Sequence, residues 1–267
     1  MINIEKIKRT GQVTLPSLFT IGNIAFGFFA ILASIDKDFS RAGWCIIGAM
    51  VMDSLDGRVA RMVHGESSFG IEMDSLADCI SFGAAPGIMM YLFHLKDYGF
   101  WGYPVAFLYT MCGALRLARF NVVSHEGKSS KQNFTGLPIP GAAGILASFV
   151  IAYSLMESRD SLGFVTYVMA LIYNLIPLVM LGLGILMVST IPYAAFKQSN
   201  FLRPKSLGAL IFVILFIFVG IKYPQDSIFL MFLLYVLSGL IAMFWRLVKR
   251  LVQHKDEDGA IPPAAQQ

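Results

Sequence analysis

Four aspartates stand close together in an otherwise apolar part of the chain, within the segments DSLDGRVAR and GIEMDSLAD. They are Asp53, Asp56, Asp74 and Asp78. A carboxylate at bilayer depth is unfavourable unless it is paired, hydrated or bound to metal, so this cluster predicts a functional site. The first two aspartates are three positions apart and the last two are four apart, so each pair shares one helical face. The spacing predicts two helices with one acidic face each.

The two acidic helices are predicted to form an antiparallel hairpin through a short polar connection around 63–68. All four carboxylates would then converge near its turn. Like charges repel strongly at low dielectric unless cations lie between them. Oxygen ligands favour a hard divalent cation, with Mg²⁺ as the first choice and Mn²⁺ or Ca²⁺ as alternatives. The cluster has room for two such ions.

Small residues and one cation accompany the acidic residues. Gly57 and Ala60 leave the backbone side of Asp56 uncovered, and Arg61 adds a positive charge. Gly70 would allow the second acidic helix to approach the first closely, as small residues do in membrane helix pairs. This combination suits a diphosphate that is bridged by metal.

The composition is that of an integral membrane protein. Of 267 residues, 56% are hydrophobic and 14% are charged, and the mean hydropathy is +0.66. Apolar runs of about 20 residues predict an all-α, polytopic membrane bundle of about eight transmembrane helices. Their approximate positions are 15–35, 41–63, 69–94, 100–123, 139–157, 163–194, 206–222 and 227–250. The sixth is long enough to bend at Pro177 or to run into an interfacial piece near Pro192.

Positive charge is divided unevenly between the two ends of these spans. All but five of the 21 Lys and Arg residues fall on the side of the N-terminus, the five being Lys37, Arg41, Lys96, Arg159 and Lys222. The positive-inside rule then predicts an inner-membrane protein whose termini and acidic hairpin turn are cytoplasmic. The net charge of +4 is therefore a topology signal. No basic and aromatic pattern of a nucleic-acid platform accompanies it, so no nucleic-acid partner is expected.

Three polar residues recur in the first span. Ser17, Thr20 and Asn23 are three positions apart and form one stripe. The stripe either faces the acidic site or makes hydrogen bonds between helices.

The acidic pattern has a wider resemblance. From Asp53 to Asp78 it resembles, at every position, the signature of the CDP-alcohol phosphotransferase family. The flanking segments LPSLFTIGNIAFGFFAI, DCISFGAAPG, GALRLARFNV and QNFTGLPIPGAAG resemble the phosphatidylserine synthase branch of that family. The resemblance implies a six-helix core at 1–195, which leaves two additional C-terminal spans at 196–252. The composition of 253–267 predicts a disordered cytoplasmic tail.

The resemblance also implies an activity. Members of this branch transfer a phosphatidyl group from CDP-diacylglycerol to L-serine, giving phosphatidylserine and CMP, and family members are often homodimers. Two divalent cations, Mg²⁺ or Mn²⁺, would be held by the four aspartates, with Asp78 as the general base. The residues implied in CDP binding are Asp56, Gly57, Ala60, Arg61 and Gly70.

The acceptor pocket must recognise a carboxylate and an ammonium group if the acceptor is serine. Such a pocket should present a fixed cation and several neutral hydrogen-bonding groups. The candidates are Arg116, Arg119, Asn121, Lys131 and Ser81. Anchoring at a membrane surface explains the arginines about as well as substrate binding does.

Three alternatives remain at this point. The acceptor could be glycerol 3-phosphate or inositol phosphate, because neighbouring branches share the acidic signature. The lipid donor could carry ether-linked chains. A cation-coupled transporter could also place carboxylates within a membrane.

Overall fold

The computed structural model describes residues 4–62, 68–125, 136–156, 163–190 and 222–258, with side chains at 18–59, 62, 69–123, 136–156, 163–190 and 222–241. All regular structure in these ranges is helical, which confirms the predicted all-α class. The α-helices are α1 (Ile4–Ile35), α2 (Phe39–Met62), α3 (Ser68–Asp78), α4 (Ala85–Phe93), α5 (Gly102–His125), α6 (Ile139–Leu155), α7 (Gly163–Asn174), α8 (Ile176–Val188) and α9 (Pro224–Asp258). A π-helical turn, Cys79–Ala84, joins α3 to α4, and a 3₁₀ helix, Leu95–Trp101, joins α4 to α5.

Several helices are long and apolar enough to cross a membrane. Within the described ranges these are Leu18–Ile35, Phe69–Phe93 and Pro224–Ile241, and the pair α7 and α8 qualifies as a fourth if it forms one broken span. Leu18–Ile35, Phe69–Phe93 and Pro224–Ile241 correspond to the predicted first, third and eighth spans. The pair α7 and α8 corresponds to the predicted sixth span. The predicted seventh span, 206–222, lies almost entirely outside the described residues. The protein is therefore an integral membrane protein with a helical bundle.

The sixth predicted span is broken rather than straight. Its two helices meet at 85° around Leu175, and Pro177 lies in the first turn of α8. Proline has no backbone N–H and restricts the residue before it, so α7 cannot continue through this point. The expected bend is confirmed, and α8 alone, with 13 residues, is only about 20 Å long.

The third span changes its helical pitch immediately after Asp78. The Ala85 N–H donates to the Ile80 carbonyl, which is the bonding pattern of a π-turn. Pro86 cannot donate to the Phe82 carbonyl, and that carbonyl instead accepts the Tyr109 hydroxyl at 3.1 Å. The sequence predicted one uninterrupted span at 69–94; the structure keeps the span and adds this wider turn.

The predicted hairpin of two acidic helices is wrong in its packing. Among the described residues, α3 packs against α1 rather than along α2, and α1 also makes the most extensive contact with α2. Gly27 explains why α1 fits there, because a Cβ at this position would lie 2.8 Å from the Ser81 Cα. The backbone of α1 therefore touches the π-turn directly. As a result, α1 contacts both acidic helices and supplies polar groups to the site.

Aromatic side chains hold the opposite end of the bundle together. The Phe93 ring at the end of α4 makes edge contacts with Phe39, Tyr153 and Tyr173, at centroid distances of 5.2, 5.6 and 6.0 Å. These rings come from α2, α6 and α7. Such edge-to-face contacts are favourable beyond the area that they bury. The aromatic cluster thus fixes the ends of four helices away from the acidic residues.

Candidate functional site

Three of the four predicted aspartates form a compact cluster. Oxygens of Asp53, Asp74 and Asp78 all lie within 4.8 Å of one another. Asp53 comes from the second half of α2, whereas Asp74 and Asp78 lie one turn apart on α3. Asp78 is only 8% exposed, and the other two are half-buried. We call these three residues the acidic triad.

The acidic triad fits a hard divalent cation. Oxygens that bind one such ion lie about 2.0–2.6 Å from it, and therefore at most about 4–5 Å from one another. The separations within the triad satisfy this condition without rearrangement of the backbone. The donor set consists of carboxylate oxygens alone, which suits Mg²⁺ or Mn²⁺ better than a softer metal. Three uncompensated carboxylates at this spacing would otherwise repel one another.

Asp56 does not join the triad, contrary to the prediction that all four carboxylates converge. It is 6% exposed, and its Oδ2 accepts a hydrogen bond from the Thr20 hydroxyl. Thr20 belongs to α1, so the intervening helix draws this carboxylate aside. The charge of Asp56 nevertheless acts on Asp53 and Asp74, which places it at the edge of the same site.

A short chain of hydrogen bonds positions Asp78. The Asn23 Nδ2 donates to Asp78 Oδ1 at 3.2 Å, and the Ser81 hydroxyl donates to the main-chain carbonyl of Asn23 at 2.9 Å. Asn23 and Ser81 are fully buried. Ser81 therefore orients Asp78 through Asn23, rather than touching it directly. The predicted polar stripe of the first span does lie against the acidic site, at Thr20 and Asn23.

Arg116 carries a largely buried positive charge that acts on the site. Its positive charge interacts with Asp78, and its Nε is buried with no hydrogen-bond partner. The Asn23 Oδ1 is likewise buried and unpartnered. Buried polar groups in folded proteins are almost always hydrogen-bonded, so unpaired ones around a carboxylate indicate a place for a polar ligand.

The other predicted acceptor residues have structural partners. Arg119 is exposed, and its Nη1 donates to the Val188 carbonyl at 3.4 Å. Asn121 donates to the Ser75 hydroxyl at 3.0 Å and to Glu72 Oε2 at 3.4 Å. These bonds connect α5 with α8 and α3. Of the two arginines predicted for the acceptor pocket, Arg116 is therefore the one whose charge acts on Asp78.

The residues predicted to bind CDP lie on α2 and α3, the two helices that carry the aspartates. Gly57 is next to Asp56 on α2, and Gly70 lies in the first turn of α3. Ala60 and Arg61 belong to the last turn of α2, but their side chains lie outside the described residues. Lys131 lies outside the described residues altogether.

The loop that enters α6 is fixed at the same end of the bundle. Gly136 has a φ of +86°, which favours glycine, and a side chain there would collide with the backbone of Met187 and Ser189. The Leu137 N–H donates to the Leu186 carbonyl at 2.9 Å. Ile139, the first residue of α6, then packs against Gly113 of α5. This loop thereby holds α8 next to the part of α5 that carries Arg116.

Sequence reasoning missed several residues that support the site. Ser75 and Glu72 hold Asn121, and Tyr109 holds the π-turn that follows Asp78. A serine, a glutamate and a tyrosine near helix ends are common in any membrane protein. The sequence offered one signal for the Tyr109 contact, which is Pro86. Proline has no N–H to donate to the carbonyl of Phe82 four residues before it, so it predicts that this carbonyl needs another partner.

The chain matches a known family model and several curated proteins. The family model is described as CDP-alcohol phosphatidyltransferase and matches residues 13–179. A CDP-diacylglycerol–serine O-phosphatidyltransferase of Helicobacter pylori (strain ATCC 700392 / 26695) is 33% identical over 88% of this chain and 92% of its own. An archaetidylserine synthase of Methanothermobacter thermautotrophicus is 39% identical over 72% of this chain and 74% of its own. A CDP-diacylglycerol–serine O-phosphatidyltransferase of Bacillus subtilis (strain 168) is 33% identical over 69% of this chain and 92% of its own.

The matched region contains both acidic helices, the part of α1 from residue 13 onward, and Arg116. It thus includes the acidic triad and each hydrogen bond that positions Asp78. The family match covers more than half of the chain, and relatives at this level of identity extend well beyond it. The chain belongs to the CDP-alcohol phosphatidyltransferase family.

Proposed function

We propose that this protein transfers a phosphatidyl group from CDP-diacylglycerol to the hydroxyl of L-serine, giving phosphatidylserine and CMP. The observation that carries the proposal is the acidic triad, with its buried Asp78 held by Asn23 and adjacent to Arg116. The names of the Helicobacter and Bacillus relatives support serine as the acceptor.

Arg116 would bind the carboxylate of serine. A guanidinium offers fixed, charge-assisted hydrogen bonds to a carboxylate, and the buried Nε of Arg116 has an unused donor. The hydroxyl and the carboxylate of one serine molecule are only a few bonds apart. Binding at Arg116 therefore brings the hydroxyl toward Asp78, whose charge already interacts with this arginine.

Asp78 would act as the general base. It accepts the proton of the serine hydroxyl as the serine oxygen attacks the phosphorus that carries diacylglycerol. A new P–O bond forms to serine, the P–O bond to the CMP phosphate breaks, and CMP leaves with that bonding pair. The hydrogen bond from Asn23 would fix the Asp78 carboxylate during proton transfer.

The acidic triad would hold one divalent cation, and Asp56 would complete a second site next to it. Such ions neutralise the charge that a diphosphate carries and stabilise the leaving phosphate. Gly57, Gly70 and Arg61 would adjoin the CDP part, because their positions flank the aspartates on α2 and α3.

The remaining proposals concern orientation and assembly. The site and both termini would be cytoplasmic, as the distribution of Lys and Arg predicts. The diacyl chains would stay in the membrane while the CDP headgroup reaches the acidic triad. The protein would form a homodimer, as members of this family often do, and light scattering in detergent would measure this directly.

An acceptor panel tests the proposed reaction. Purified protein in detergent is given CDP-diacylglycerol with serine, glycerol 3-phosphate, inositol or inositol phosphate, and CMP release is followed. We expect kcat/KM for serine to exceed that of every other acceptor by at least about tenfold, a difference of about 1.4 kcal/mol. Preference for another acceptor would refute the serine assignment. Absence of CMP release with all acceptors would refute the transferase assignment.

The donor is tested in the same assay. The name of the Methanothermobacter relative includes an archaetidyl group, so a CDP-activated ether lipid is compared with CDP-diacylglycerol. We expect CDP-diacylglycerol to be the better donor. A large preference for the ether lipid would change the donor and leave the acceptor assignment intact.

Metal binding is tested without relying on turnover. Equilibrium dialysis of the purified protein against Mn²⁺ should give two bound ions, and Asp74→Asn should lose at least one of them because the triad loses a carboxylate. Exhaustive chelation should abolish CMP release, and Mg²⁺ or Mn²⁺ should restore it. Asp38→Asn is the control, since Asp38 pairs with Arg41 away from the triad. Undiminished turnover after chelation would contradict the proposal.

A further inference from the structure

We infer that Tyr235, on the C-terminal helix α9, is a positioning residue that holds Arg116 in the orientation needed to bind the acceptor. This inference rests on the proposed function, because it assigns Tyr235 to the acceptor side of the same site. Tyr235 lies outside residues 13–179, which match the family model. It therefore gives a role in the reaction to a helix beyond the family core.

Two aromatic rings of α9 pack against α6. A Cβ at Gly141 would lie 2.8 Å from Cε1 of the Tyr235 ring, and a Cβ at Gly144 would collide with the Phe232 ring. The two glycines thus form a flat surface on which two aromatic rings of α9 rest. Close approach of this kind is typical of small residues in membrane helix pairs.

The Tyr235 ring packs near the start of α6. Gly141 lies in the first turn of α6, next to Ile139, which packs against Gly113 of α5. Arg116 is one helical turn beyond Gly113 on α5. The Tyr235 ring therefore rests at the end of α6 that adjoins the site, whereas Phe229, nearer the start of α9, packs against Phe149 in the second half of α6.

The Tyr235 phenol interacts with the guanidinium of Arg116. The Tyr235 phenol and the Arg116 guanidinium are close enough to interact electrostatically, and the same guanidinium interacts with Asp78. The charge of Arg116 thus interacts with both a carboxylate and a phenol oxygen. Without the phenol, the attraction of Asp78 would be opposed by one polar group fewer, and the guanidinium would turn toward the carboxylate. Its remaining donors would then be less available to an incoming acceptor.

Tyr235→Phe tests the hydroxyl while it keeps the ring on Gly141. We expect KM for serine to rise by about 3- to 10-fold, as for the loss of one favourable polar interaction, with kcat and KM for CDP-diacylglycerol nearly unchanged. Tyr167→Phe is the matched control, because it deletes the hydroxyl of a tyrosine that is 73% exposed on α7. A purely structural role for Tyr235 would not change one Michaelis constant alone.

A pair of glycine variants tests the same contact from α6. Gly141→Ala would displace the Tyr235 ring, and Gly144→Ala would displace the Phe232 ring. Both variants should lower thermal stability, but only Gly141→Ala should raise KM for serine. An equal rise in both variants would show that general packing, rather than Tyr235, controls acceptor binding, and would overturn the inference.

A double-mutant comparison separates this inference from the proposed function. If Tyr235 acts through Arg116, then Arg116→Gln with Tyr235→Phe should raise KM for serine no more than Arg116→Gln alone. Suppose that Arg116→Gln raises KM for serine and Tyr235→Phe leaves it unchanged. That result would refute the inference and preserve the proposed function. An unchanged KM for serine in Arg116→Gln would instead remove Arg116 from the acceptor pocket.

Discussion

At the scale of single residues, the site depends on how one carboxylate is held. Asp78 is buried, receives a hydrogen bond from Asn23 and lies within the field of Arg116. A buried carboxylate with a directed donor and a nearby cation keeps a fixed orientation. Asp56, which shares its helical face with Asp53, is instead bonded to Thr20. Residues of the same type therefore have different environments within one site.

The contact between Asn23 and Asp78 gives the first residue-scale prediction. Asn23→Leu keeps a similar volume but removes the donor to the Asp78 carboxylate. We expect kcat to fall by about 10- to 100-fold, because a buried hydrogen bond to a charged group contributes about 1.5–3 kcal/mol. Steady-state kinetics in detergent would measure this.

Ser34→Ala is the control for that variant. Ser34 is buried on the same helix, and its hydroxyl donates to the Ala30 carbonyl away from the site. The kcat of the Ser34→Ala variant should match that of the unmodified protein. If Asn23→Leu also kept its kcat, then Asn23 would not position the base.

At the scale of elements, the π-turn after Asp78 connects the site to α5. Its Phe82 and Gly83 carbonyls accept the hydroxyls of Tyr109 and Thr110 at 3.1 and 3.2 Å. A regular α-helix would leave a different set of residues facing α1. The turn therefore sets the register at which Ser81 meets Asn23 and Gly27.

Tyr109→Phe tests this element. The change leaves the buried Phe82 carbonyl without its partner, which costs about 1–3 kcal/mol. We expect a lower apparent unfolding temperature in detergent, together with reduced turnover because the turn follows Asp78 directly. Tyr167→Phe deletes an exposed hydroxyl and should change neither quantity. Unchanged stability in Tyr109→Phe would mean that the π-turn does not need this bond.

At the scale of the whole molecule, the bundle has two chemically different ends. One end carries the acidic triad and Arg116, and the other carries the aromatic cluster around Phe93. Among the described residues, the clustered carboxylates thus lie at one end, whereas charged residues at the other end, such as Asp38 and Arg41, form an exposed ion pair. The distribution of Lys and Arg predicts that the acidic side is cytoplasmic.

Cysteine labelling tests this orientation. In a protein with Cys45, Cys79 and Cys112 replaced by alanine, single cysteines are introduced at Met62 and Lys96. Met62 ends α2 near the acidic triad and is 79% exposed, whereas Lys96 is exposed at the aromatic end. A membrane-impermeant maleimide added to intact cells should label Lys96→Cys, and Met62→Cys only after permeabilisation. The cysteine-free protein should remain unlabelled, and the reverse pattern would mean the opposite topology.

The sequence by itself determined those features that depend on local geometry and composition. The spacing of Asp53 and Asp56, and of Asp74 and Asp78, requires only a helix to place each pair on one face. The apolar runs predict helices because a membrane leaves no other partner for the backbone. Pro177 likewise predicted the break before α8 from its missing N–H.

Only the tertiary structure decided how these helices meet. The sequence pattern does not show that α1 contacts both acidic helices, that Thr20 draws Asp56 away from the triad, or that the Tyr235 phenol interacts electrostatically with Arg116. Each of these depends on contacts between residues far apart in sequence. Small side chains such as Gly27 and Gly141 allow those contacts, but a glycine alone does not indicate which helix will approach it. Close packing of whole helices selects the partner, and so it determines which of the acidic residues come together in the triad.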